Sequence, residues 1–264
     1  MALEFGIFCK STIEEEFAPK CFGTTFPNVF DGNGDTTYLD WLLSAWGWTL
    51  SVAGLALLIA LLVGLVVGTL RTLPESSWFN RLLITLANTW VEIFRNIPVL
   101  VQIFLWYHVI PMLVPILKGL PAYFLVSIAL GFYTSSRIAE QVKAGIQSLP
   151  KGQTLAAMAL GLTTIQSYRF VILPMALRIV IPPLTSESMN IIKNSSVAFA
   201  VSVSELTLFA MQAQEETSKG IEIYLAVTIM YMITALAMNR LMAWVEKKTR
   251  VPGFIAPNNP SGAH

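Results

Sequence analysis

Charge is scarce in this sequence. Asp, Glu, Lys and Arg make up only 12% of its 264 residues, against 55% hydrophobic. A soluble chain of this size needs more charge to cover its surface, so the natural solvent is a bilayer. Histidine is nearly absent too. His108 lies beside Trp106 and Tyr107 and reads as interfacial, and His264 is far away. That leaves no metal constellation, and it leaves the Ser-rich stretches without the base a membrane protease requires. No GxxxxGK[ST] loop occurs, so energy from ATP has to come from another subunit. No basic stripe with interleaved aromatics occurs, which argues against nucleic acid as a partner. No internal repeat is found, whereas many secondary transporters build their site between paired repeats. The N-terminal stretch is charged and proline-bearing, with no short apolar core before a cleavage site, so no signal peptide is expected.

Apolar runs are what the chain does have. Trp48 to Leu70 is uncharged for 23 residues, and at about 1.5 Å per residue it spans a hydrocarbon core of ~30 Å. Four more spans are expected, at roughly Leu82–Met112, Ala122–Ser136, Ala176–Val203 and Ile223–Val245. The first of these is long enough to need a bend, which Asn96-Ile97-Pro98 supplies by removing a backbone donor. The second should continue as a helix with Ile138, Val142, Ile146 and Leu149 on one stripe. An N-terminus outside then places Arg71, Arg81, Arg137, Lys143, Lys151, Arg169, Arg178, Arg240, Lys247, Lys248 and Arg250 inside. Only Lys10, Lys20, Lys118 and Lys219 fall outside, as the positive-inside rule requires. The outer segments are acidic, with Glu14-Glu15-Glu16, Glu205, Glu215, Glu216 and Glu222. The chain thus divides into an outer N-terminal arm (1–47), a membrane body (48–248) and a cytoplasmic tail (249–264). Cys9 and Cys21 both lie in the arm, where a disulfide is open to them but two unpaired thiols are expected. Gly64 and Gly68 form a GxxxG-like pair suited to close helix packing.

The inner loop at about 141–178 reads as two short helices separated by a turn. Pro150 and Gly152 break the preceding helix, and Gly161 interrupts the next. Thr163 with Gln166 fits a capping box, and Pro174 is expected to end the helix it opens. Leu155, Met158, Leu160 and Leu162 have no reason to be apolar in cytosol unless a partner, or the protein's own loop, covers them.

Ala156-Ala157, three residues, Gly161, nine residues and Val171-Ile172-Leu173-Pro174 resemble the EAA loop of ABC importer permeases. Leu155 stands where that family carries its Glu, and Val171 replaces the usual Ile. Val91-Glu92-Ile93-Phe94-Arg95-Asn96-Ile97-Pro98 with Gln102 resembles the second span of polar amino-acid permeases. Pro183-Leu184-Thr185-Ser186-Glu187-Ser188-Met189-Asn190-Ile191-Ile192-Lys193-Asn194-Ser195-Ser196 resembles their fourth. With Arg250-Val251-Pro252-Gly253, the likeness covers nearly everything after residue 36 and points to permeases of glutamate/aspartate importers. It implies an all-α, type I ABC importer permease fold in a bacterial inner membrane, with no catalysis and no bound cofactor of its own. It also implies partners: a dimeric ATPase subunit, a second permease (paralogue or self) and a periplasmic substrate-binding protein. Leu155, Ala156, Ala157, Met158, Gly161, Leu162 and Pro174 would then form the ATPase-coupling loop.

Ionisable residues inside spans need a reason to be there. Glu92 and Arg95, three apart on one helix near the inner end, are placed to pair with each other and are read as structural. In the fourth span, at about 100° per residue, Glu187, Asn194, Asn190, Ser186 and Lys193 share an arc of ~120°. As a pathway lining, Lys193 would attract a carboxylate, Asn190 and Asn194 would offer amides, and Glu187 would meet an α-ammonium. Ser195 and Arg95 complete this candidate set. The same face also suits a polar seam sealing the bundle, with Glu187 and Lys193 neutralising neighbours. Any zwitterion satisfies one Lys and one Glu, so glutamine, a basic amino acid or cystine stay open as cargo. A self-sufficient secondary transporter or channel is the competing class, but it gives no reason for the apolar inner loop.

Overall fold

The computed structural model describes residues 4–9 and 37–249, and every regular element among them is helical. Arg250-Val251-Pro252-Gly253, Glu14-Glu15-Glu16 and most of the N-terminal arm lie outside the described residues. α1 (Tyr38–Leu70) starts ten residues ahead of the span expected from Trp48. Thr37 caps it, its hydroxyl accepting from Asp40 N at 3.2 Å and donating to the Asp40 carboxylate at 2.8 Å. Hydropathy missed this turn because tertiary packing holds it, with Tyr38, Leu42 and Ala45 buried against the last two helices.

α2 (Trp78–Asn96) and α3 (Val99–Leu113) meet at 107°, so the break falls at Ile97-Pro98 as the sequence requires. α4 (Ala122–Gln147) is one continuous helix that buries Ile138, Val142 and Ile146. After α5 (Lys151–Ala159), a single 38-residue helix, α6 (Thr164–Val201), runs on to a 3₁₀ end. The expectation that Pro174 stops a helix is wrong. The chain instead widens into a π turn over Tyr168–Ile172 and continues. α3 does the same over Leu105–Val109, ahead of Pro111. A proline ring crowds the carbonyl four residues back, and one wider turn relieves that without ending the helix. α7 (Leu206–Thr217) and α8 (Gly220–Thr249) complete the chain.

α4 is the central helix, packed between α1 and α6 and touched by α2 and α3. Small residues permit the α1–α4 approach. A Cβ on Gly64 would meet Ile138 at 2.7 Å and one on Gly68 would meet Val142 at 2.6 Å, so the GxxxG-like pair serves packing within the chain. By length and apolarity α1, α6 and α8 suffice to cross a membrane, and the bent pair α2–α3 makes a fourth crossing if taken as one. Their outer faces carry exposed Leu58, Leu62, Val66, Met232, Leu236 and Leu241, a belt that only lipid or another apolar surface can cover.

At the far end α7 docks on α1 and α8 through Leu206, Phe209, Ala210 and Ala213. Glu205, read from sequence as part of an acidic outer segment, is fully buried and caps this helix. It accepts from Thr207 N at 2.8 Å and Leu208 N at 3.1 Å, while the Tyr231 hydroxyl donates to it at 2.7 Å. A 3₁₀ turn, Phe5–Cys9, lies nearby, with Glu4 paired to Lys219 at 2.7 Å. Cys9 is disulfide-bonded, which corrects the expectation of two unpaired thiols; Cys21 lies outside the described residues.

Candidate functional site

Two regions carry the residues singled out by sequence. The first is the polar face of α6. Glu187 is buried, and both its oxygens are taken. Arg137 of α4 donates from Nε at 2.8 Å and from Nη2 at 3.1 Å, and Gln141 Nε2 donates at 3.0 Å. A fork of this kind is the strong form of an ion pair. The carboxylate read as waiting for an α-ammonium is therefore already neutralised, by an arginine that hydropathy placed beyond the third span. Ser195 is buried with its hydroxyl turned back onto Ile192 O at 2.7 Å, so it presents no free donor. Asn190 and Asn194 are half-buried. Lys193 is exposed and has no acidic partner among the described residues. The face thus carries one compensated pair and one uncompensated positive charge.

Arg95 does not take the pairing with Glu92 that the sequence left open to it. It lies 3.4 Å from Glu140 of α4, which also holds Arg71 Nη1 at 3.1 Å, an ion pair without the angle of a hydrogen bond. Arg71 Nε in turn donates to Asn88 Oδ1 at 2.8 Å. Two arginines share one carboxylate where α1, α2 and α4 converge, beside the α2–α3 break. The break has its own clamp in Gln102, which the sequence flagged without a role. It is buried, and its amide nitrogen donates to Phe94 O at 2.8 Å and Ile97 O at 2.9 Å. Those carbonyls lie at the end of α2, where Pro98 leaves Phe94 O without the N–H a continuing helix would supply.

The second region is the loop built by α5 and the start of α6. Gly161 sits at φ +77° with open space where a Cβ would be, and Leu162 N donates back to Ala157 O at 3.1 Å. This is the glycine-terminated reversal that ends a helix and starts a turn. Thr163 and Gln166 form the expected capping box. Ala157 is buried and Leu162 half-buried, while Leu155, Ala156, Met158 and Pro174 are exposed. Leu160 at 81% and Ile165 at 79% exposure extend the apolar surface, and Phe170 joins it. The sequence had no periodicity by which to find the last two. Among the described residues no three His, Cys, Asp or Glu side chains converge as a metal site would need.

A helical protein with apolar spans, a broken helix, buried charges and a bare apolar loop has the features of a transport subunit that works with partners. The chain belongs to the family of binding-protein-dependent transport system inner membrane components, whose model matches residues 60–251. It is similar to the glutamate/aspartate import permease protein GltJ of Escherichia coli K12, 41% identical over 230 residues, with 83% of this chain and 92% of that one covered. The probable glutamine permease GlnM of Bacillus subtilis is 35% identical over 194 residues, covering 74% and 88%. A crystal structure of an amino acid ABC transporter with histidines aligns at TM-score 0.68 and 26% identity, covering 86% of this chain and all of that one. The MetNI methionine transporter shares the fold at TM-score 0.69 and 21% identity, over 80% and 97%. This is an amino-acid ABC importer permease: a multi-pass, non-catalytic transport subunit, whose family works with an ATPase and a substrate-binding protein.

Proposed function

We propose that the cargo is glutamate or aspartate. The observation that carries this reading is the charge on the α6 face. Glu187 and Arg137 cancel, and Lys193 leaves one positive charge facing open space. An acidic amino acid, with net charge −1, complements that face; a basic one is repelled, and a neutral one leaves Lys193 uncompensated inside the membrane. The glutamate/aspartate permease named above supports the same assignment. Asn190, Asn194 and Lys193 then line the pathway, and Arg95 adds positive charge beside the α2–α3 break.

The chain sits in a bacterial inner membrane with its N-terminus outside, paired with a second permease and served by a periplasmic binding protein. The disulfide at Cys9 supports that orientation, since such bonds persist in oxidising compartments. The exposed apolar loop of Leu155, Met158, Leu160, Ile165 and Phe170 seats the ATPase. The test is uptake by the complete complex in proteoliposomes with ATP inside, against a panel of labelled amino acids. Glutamate and aspartate should be carried in preference. Uptake of glutamine, arginine or cystine without glutamate would overturn the assignment.

A further inference from the structure

An apolar seat for an ATPase does not explain how movement there reaches the membrane helices. α5 packs on the start of α6, and from there a tyrosine hydroxyl reaches the end of α1. Tyr168 opens the π turn of α6. Its hydroxyl donates to Thr72 O, 96 residues away in the chain, and lies 3.3 Å from Thr72 Oγ1. Thr72 is no loose acceptor. It belongs to the reverse turn that ends α1, its N and Oγ1 both donating to Thr69 O at 3.0 and 2.8 Å. The residue before it is Arg71, which reaches Asn88 on α2 and Glu140 on α4, and Glu140 holds Arg95 beside the α2–α3 break.

We propose that Tyr168 is the positioning residue that couples the loop to the pathway. It pulls on the end of α1 and, through Arg71 and Glu140, on the break where α2 turns into α3. The proposal rests on the reading that the ATPase sits on the α5–α6 loop. Three features favour a transmitting role over simple anchorage. The tie lies at a π turn, where a helix already departs from its regular hydrogen bonding and bends most readily. It ends on a backbone carbonyl, so it moves the main chain of α1 and not merely a side chain. Its next link is one carboxylate held at once by Arg71 at 3.1 Å and Arg95 at 3.4 Å, so a small displacement of either arginine alters its hold on the other.

The experiment uses the full complex of permeases, ATPase and binding protein in proteoliposomes, with uptake and ATP hydrolysis read from the same vesicles. Tyr168→Phe keeps the ring, which packs on the core, and removes only the donor. Complex yield and thermal midpoint should stay at the unsubstituted values and ATP should still be hydrolysed. Uptake per ATP should fall about tenfold, the scale of one lost hydrogen bond in a two-state coupling. Combining Tyr168→Phe with Glu140→Gln should be non-additive in uptake per ATP, because both act on one path. Full coupling in Tyr168→Phe, strict additivity in the pair, or a loss of complex yield with unchanged coupling would each overturn the proposal. Leu160→Asp and Ile165→Asp separate it from the reading beneath it. If those variants keep the ATPase bound, the docking reading fails and the tie fails with it. If they shed the ATPase while Tyr168→Phe stays fully coupled, the tie alone is wrong.

Discussion

Arg137→Met should destabilise the protein more than removal of both members of its ion pair. Glu187 is 4% exposed and takes two hydrogen bonds from Arg137; without them its carboxylate keeps only Gln141, at 3.0 Å. Breaking a fully buried pair from one side costs about 3–5 kcal/mol, because the remaining charge stays desolvated. The Arg137 side chain is 44% exposed, so water screens part of the interaction. That brings the expectation down to about 2 kcal/mol, or roughly 4–8 °C in a chain of this size. Arg137→Met with Glu187→Leu removes the stranded charge as well and should recover half or more of the loss. The assay is thermal unfolding of the purified complex for the two single variants and the double, evaluated as a cycle. If the double is no more stable than Arg137→Met, then Glu187 is not the cost, and the pair does not neutralise the α6 face as argued.

Three further outcomes follow from other sites. Lys193→Met removes the uncompensated charge, and uptake should fall on the order of tenfold to a hundredfold, the worth of a desolvated charge-assisted hydrogen bond. The thermal midpoint should hold, since no described carboxylate loses a partner; a collapse of the complex would place Lys193 in a structural seam. Gly68→Leu would drive a side chain into Val142, whose Cβ lies 2.6 Å from where the new Cβ must go, and should cost about 1–3 kcal/mol measured as lost thermal stability. A variant as stable as the parent would refute the close α1–α4 approach. Burial pushes the Glu205 carboxyl from 4.5 up to about 7, against the opposing pull of hydrogen bonds from Thr207 N, Tyr231 and Leu208 N. The folded state therefore holds this proton more tightly than the unfolded chain. The stabilising contribution of this group should be complete below pH 4.5 and decline as pH rises to about 7, by on the order of 3 kcal/mol. Glu205→Gln should flatten that slope in melts from pH 5 to 8, and an unchanged slope would acquit Glu205.

What the sequence determined by itself is everything that depends on near neighbours in the chain. The apolar run through Leu70, the break at Ile97-Pro98, the Thr163–Gln166 box and the small face of Gly64 and Gly68 are local statements about hydropathy, missing donors and missing side chains. They can be read within a turn or two of helix, and the motifs that carry the family resemblance are of the same kind. Pro174 is the exception among local signals, because whether a proline ends a helix or only widens it depends on what packs around it. The partners of the charges were another matter. Glu187 meets Arg137 from 50 residues away, Glu205 meets Tyr231 from 26 away, and Tyr168 finds Thr72 across 96. A buried charge announces that it needs a partner, but composition and periodicity do not say which one, since that depends on how three or more helices are set against each other. Only the tertiary structure decided that Glu187 is spoken for and Lys193 is not.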